Sequence, residues 1–207
     1  MRQMIYKRFE RFWHWSQSLL MLAMLVTGFE IHGFFSWLGF EQALLWHELG
    51  ALALIILWLF AIFWHFTTGE WRQYIPTTEK LMAVIRYYSK DIFFGKPHPY
   101  KATPERKHNP LQRFSYLGFK LLLAPVIWLS GLLLLAYPFG LEVFSLATLS
   151  AVHLAAAFLI LIFLIVHFYM TTTGPTPLSH IKTMITGYED PRIQHDKAAI
   201  QSTNKRV

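Results

Sequence analysis

Four stretches of this chain, about 13–31, 43–65, 119–137 and 146–170, are long and apolar enough to cross a hydrocarbon layer, and they leave little choice of fold. A bilayer offers no water to backbone N–H and C=O groups, so a span of about 20 apolar residues satisfies them internally as an α-helix. The expectation is an all-α chain, an integral membrane four-helix up-down bundle. At 54% hydrophobic and 15% charged, the sequence does not fit an ordinary soluble domain of 207 residues.

Orientation follows from the cations. Arg2, Lys7, Arg8 and Arg11 precede the first span, ten Lys and Arg run from Arg72 to Lys120, and five follow the fourth span. The short connections 33–42 and 139–145 hold none, so both termini and the long central loop are expected to be cytoplasmic in a multi-pass protein of the bacterial cytoplasmic (inner) membrane. Lys120, at the edge of the third span, can snorkel to that side. The net charge of +7 then reflects topology and contact with anionic membrane lipids, and no nucleic acid partner is implied. The basic start followed by an apolar run is long and lacks an Ala-x-Ala-like site, so it is read as an uncleaved span. Having no cysteine, the chain has no disulfide, no cysteine-held iron–sulfur cluster and no Cys-x-x-Cys-His haem attachment.

The chain reads as a single membrane domain, 1–207. Leu81, Val84, Ile85, Tyr88 and Ile92 recur at helical spacing beside Lys80, Arg86 and Lys90, predicting a cytoplasmic amphipathic helix in the central loop, lying on the inner leaflet. Gly95, Pro97, Pro99 and Pro104 then break regular structure. Gly174-Pro175-Thr176-Pro177 ends the fourth span, a short surface helix follows over 179–185, and a polar tail over about 190–207 is expected to be loose.

Histidines carry the chemistry. His153 and His167 lie fourteen positions apart in the uncharged fourth span. Four helical turns put both imidazoles on one face, roughly 21 Å apart along the axis. With spans alternating in direction, His47 matches the depth of His153 near the outer surface, and His14 matches His167 near the inner one. Ionisable groups are costly in lipid and usually functional there. Two depth-matched pairs suit two b-type haems with bis-imidazole ligation. The four are too spread in depth for one tetrahedral zinc shell. His65, five turns from His47, is the alternative fourth ligand, a cofactor neighbour or a solvated side chain. Gly28, Gly50, Ala51, Gly131 and Ala155-Ala156-Ala157 supply small residues that either make room for porphyrin or mediate helix packing. Glu48 either orients His47 or faces water.

Trp13-His14-Trp15, His47-Glu48-Leu49-Gly50 and Val152-His153 with Val166-His167-Phe168-Tyr169-Met170 resemble the bacterial four-helix dihaem cytochrome b family. That family holds the membrane subunits of respiratory formate dehydrogenase, thiosulfate reductase and nickel-iron hydrogenase. The resemblance spans about 6–187 and implies a subunit exchanging electrons between an iron–sulfur or multihaem catalytic partner and the membrane quinone, menaquinone or ubiquinone. It also carries Asn109 and Gln112 of Lys107-His108-Asn109-Pro110-Leu111-Gln112 into a quinone site, where an Asn cap and polar start for the third helix is the alternative. His108 and Glu105 are proton carriers or solvated loop residues. Competing functions are a stand-alone superoxide/quinone oxidoreductase, or a proton or metal-ion transporter using the histidines as relay sites.

Overall fold

The computed structural model describes residues 3–189. The tail expected to be loose, His195 included, lies outside the described residues. The fold is all-α apart from a two-residue antiparallel pair, with β1 Gln3–Met4 in register with β2 Tyr188–Glu189. Between them run α1 (Arg8–Ile31), α2 (Phe40–Thr68), α3 (Leu81–Ser89), α4 (Pro110–Gly118), α5 (Ala124–Ala136), α6 (Leu146–Thr171) and α7 (Ser179–Thr186).

Among the described residues three helices are long and apolar enough to cross a membrane: α2, the run Pro110–Phe139 that contains α4 and α5, and α6. The first expected span, 13–31, falls within α1, which is helical over 24 residues but is not one of these three. Arg8, Glu10, Arg11, His14, Ser16, Gln17 and Ser18 in its first half keep it less apolar than the others. Exposed side chains such as Leu19, Phe60, Phe63 and Ile162 are what a lipid-facing helix surface requires.

The third long helix begins well before the predicted residue 119, and a reciprocal cap explains why. Asn109 Oδ1 accepts the Gln112 N–H at 2.9 Å, and Gln112 Oε1 accepts the Asn109 N–H at 2.9 Å. Pro110 fills the first helical position, where no N–H is needed. Between α4 and α5 the helix widens into a π-turn over Phe119–Leu123, next to Pro125, whose missing N–H leaves an i−4 carbonyl without its helical partner.

By contacts the chain divides into two compact units. The loop unit comprises the described residues of Met1–Arg11, Arg72–Gly118 and Leu164–Val207. In it, α3 is the predicted amphipathic helix, with Val84 and Tyr87 buried and Leu81, Ile85 and Tyr88 half-buried. It packs on α4 with Val84 fully buried, while Met82 on the other side is 74% exposed. The buried Lys107 Nζ pairs with Glu10 Oε1 at 2.7 Å. Gly187 ends α7 at φ 87°, and a Cβ there would stand 2.7 Å from the Tyr6 carbonyl oxygen, so the turn that feeds β2 requires glycine.

The helical unit comprises Phe12–Trp71 and Phe119–Phe163. Phe29 of α1 meets Phe158 of α6 with centroids 5.2 Å apart, and Trp58 of α2 meets Trp128 of α5 at 4.9 Å. The loop from α1 to α2 is tied down by Glu30, 5% exposed. Its Oε1 accepts the N–H groups of Trp37, Leu38 and Gly39 at 2.8, 2.6 and 2.7 Å, a carboxylate set against the start of α2.

Candidate functional site

Within the helical unit, His47 of α2 and His153 of α6 come together, with ring centroids 6.1 Å apart and planes at 73°. Each imidazole is held by a hydroxyl from the neighbouring helix. Thr27 Oγ1 of α1 lies 3.0 Å from His47 Nδ1, and Ser130 Oγ of α5 lies 3.0 Å from His153 Nδ1. Both hydroxyls also donate to a carbonyl one turn back in their own helix, Thr27 to Ala23 at 2.9 Å and Ser130 to Val126 at 2.7 Å. A hydroxyl has one proton, so one already given to a carbonyl leaves the oxygen to accept from the ring. Nδ1 is then the donor, and in a neutral ring that leaves Nε2 as the nitrogen with a free lone pair. Among the described residues neither Nε2 has a protein partner.

Glycine makes this approach possible. A Cβ on Gly28 would meet His47 Cε1 at 3.1 Å, and one on Gly131 would meet His153 Cε1 at 3.0 Å. These are two of the small residues marked in the sequence, and the space they leave is filled by imidazole. Gly50 faces Met24 instead, and Ala155 is exposed, so neither joins this arrangement. Glu48 makes no hydrogen bond to His47; Thr27 takes that place.

The donor set fits a b-type haem. The two imidazoles, with ring centroids 6.1 Å apart, would hold its iron between them. Bare Nε2 atoms with Nδ1 hydrogen-bonded are the form in which neutral histidine ligates.

His14 lies half-buried on α1, its ring edge-on to Trp15 at 5.1 Å. Beside it, Trp13 Nε1 and Gln17 Oε1 are buried polar atoms without a protein partner among the described residues. His65 is 7% exposed, so the solvated reading fails. Its Nδ1 donates to the Ala61 carbonyl at 2.6 Å, and Trp13 and Trp64 pack against the ring at 5.3 and 5.1 Å. Lys120 Nζ lies 5.6 Å from the Trp13 ring, a cation–π approach. His167 is half-buried on α6 and falls in the loop unit, whereas His14 falls in the helical unit.

In the loop unit, Asn109 is 4% exposed and spends its amide oxygen on the cap. Its Nδ2 reaches the Tyr88 hydroxyl at 3.4 Å, and that hydroxyl lies 3.1 Å from His98 Nε2. Burial pushes the Tyr88 phenol up to about 12 and holds the His98 imidazole below its ordinary value, the Tyr100 backbone opposing the latter shift. Gln112 is half-buried, with its Oε1 used by the cap and its Nε2 left available. His108 sits between Tyr74 and Tyr116, centroids 5.4 and 5.0 Å away, rather than in solvent, and Glu105 is exposed.

The prokaryotic cytochrome b561 family model matches residues 5–187, nearly the whole described chain. The chain belongs to the prokaryotic cytochrome b561 family. It is 33% identical over 194 residues to an Escherichia coli K12 protein named "Putative cytochrome YdhU", an alignment covering 89% of this chain and 73% of that protein. No solved structure matches it. Membership makes this a bacterial membrane protein for electron transfer, using b-type haem.

Sequence reasoning missed Thr27, Ser130 and the capping role of Glu30. A signal was there to find. Thr27-Gly28 and Ser130-Gly131 are the same pattern, a hydroxyl residue followed by glycine, each on the helix before a half-buried histidine of an apolar helix.

Proposed function

We propose that the protein is a dihaem b cytochrome subunit that moves electrons across the membrane between an iron–sulfur or multihaem catalytic partner and menaquinone or ubiquinone. In this reading it is multi-pass, with both termini cytoplasmic. The observation that carries the proposal is the His47–His153 pair, two imidazoles with ring centroids 6.1 Å apart, each with Nδ1 held by a hydroxyl. That pair would hold the outer haem. His14 and His167 would hold the inner one, an assignment supported by the fourteen-residue spacing on α6 and matched depth on α1. A haem held by such a pair supplies one-electron exchange between ferric and ferrous iron.

Quinone reduction takes two electrons and two protons. Asn109 and Gln112 would hold the quinone, and because the cap consumes both side-chain oxygens, Gln112 Nε2 is the donor positioned to grip a quinone carbonyl. Protons for that site would come from the cytoplasm. Electrons arriving from the outer side then make the reaction electrogenic, about 2.3 kcal/mol per charge per 100 mV. The outer connections carry no Lys or Arg to attract superoxide, which favours this reading over a stand-alone superoxide oxidoreductase.

The test is haem reduction by menadiol or decylubiquinol in the purified protein, followed at the visible absorption bands. Quinol-driven reduction that Gln112→Leu slows, with haem content unchanged, is the expected result. Haem that dithionite reduces but neither quinol does would overturn the quinone assignment.

A further inference from the structure

We infer that Thr27 and Ser130 form a matched pair of positioning residues that fix the ring tautomer of His47 and His153 and lower the reduction potential of the haem those histidines hold. The inference rests on the haem assignment above. Its basis is a device that the chain builds twice. On α1, Thr27 accepts from His47 Nδ1 while Gly28 clears the ring edge; on α5, Ser130 accepts from His153 Nδ1 while Gly131 does the same. The two hydrogen bonds have the same length, 3.0 Å, and each hydroxyl has its own proton committed to a helix carbonyl.

The direction of the effect follows from charge. A ring whose Nδ1–H is held by an acceptor is a more basic donor at Nε2. A more basic axial ligand favours ferric over ferrous iron. With the hydroxyl acceptors removed, leaving each ring only its backbone partner, Met24 for His47 and Ile127 for His153, the ferrous state gains and the potential rises. Losing a buried dipole acts in the same direction, since an apolar surrounding disfavours the more charged ferric centre. The two sides of the iron are equivalent in this respect, so each hydroxyl should contribute a similar shift.

Thr27→Val and Ser130→Ala are nearly isosteric and leave both ligands in place. Redox titration of the purified protein is expected to show the outer haem with its ferrous-to-ferric ratio raised roughly three- to tenfold at a fixed ambient potential in each variant, about 30–60 mV. The double variant should show a larger shift, and Thr27→Ser and Ser130→Thr should restore the wild-type value. Low-temperature electron paramagnetic resonance of the ferric form should change with the variants, reporting the altered axial field. Loss of the outer haem from Thr27→Val, with retention in Thr27→Ser, also supports the inference. Pigmented variants with wild-type potentials and spectra would overturn it while leaving the haem assignment standing. A colourless wild-type protein from a haem-replete host would overturn both.

Discussion

Replacing Gly131 with alanine puts a methyl group 3.0 Å from Cε1 of His153, where ordinary contact begins at 3.4 Å. The ring must retreat by about 0.4 Å, and the Ser130 hydrogen bond to Nδ1 resists that movement. Overpacking of this kind costs about 1–3 kcal/mol. If the cost falls on the site, retention of the group held by His153 weakens roughly 5- to 150-fold. The helix backbone pulls the other way, because alanine in a helix interior is favoured over glycine by about 0.5–1 kcal/mol. Gly131→Ala should therefore give a firmer helix and a poorer site. Gly118→Ala is the control, since a Cβ there meets nothing within 4 Å and should feel only the backbone term. The assay is the rate of haem transfer to excess apomyoglobin, beside thermal unfolding followed by circular dichroism. A Gly131→Ala protein that releases haem at the wild-type rate would refute the steric argument.

Three further outcomes are expected. Glu30→Ala strips three N–H groups at the start of α2 of their charged acceptor and should lower stability by about 2–4 kcal/mol in thermal unfolding, with Glu30→Gln milder because it keeps an acceptor oxygen. Lys107→Met leaves the half-buried Glu10 without its cation and should cost about 2–4 kcal/mol, most of it recovered in the Lys107→Met/Glu10→Gln double variant by the same measurement. Because burial holds His98 below its ordinary 6.5, the unfolded chain takes up a proton that the folded one refuses. The stability this adds is present above that value and lost as pH falls below it; unfolding midpoints should drop between about pH 7 and 5, and less so in His98→Gln.

Periodicity and hydropathy made the helices legible. The 26 residues of α6 coincide with the apolar window predicted around His153 and His167 because nothing polar interrupts it. The early start of the Pro110–Phe139 helix was harder to read, since it depends on Asn109 and Gln112 closing on each other before any apolar run begins. The sequence offered those two as a cap or a quinone site; they form the cap, and Gln112 Nε2 is left for the other role. α3 shows the limit of an amphipathic pattern, which gives a buried face without saying whether lipid or protein covers it. Depth matching paired His47 with His153, and the structure brings them together. It could not name Thr27 and Ser130, because a hydroxyl in a membrane helix usually satisfies itself on the i−4 carbonyl, and only geometry shows its second lone pair aimed at a ring.

The central claim is that paired histidines hold two haems in one chain, and haem stoichiometry of single-ligand variants tests it most directly. Pyridine haemochrome analysis should find two haems b per wild-type polypeptide and one in each of His47→Ala, His153→Ala, His14→Ala and His167→Ala, with the first two variants losing the same spectral component and the last two losing the other. A single haem in the wild type, or full haem content in all four variants, would contradict it.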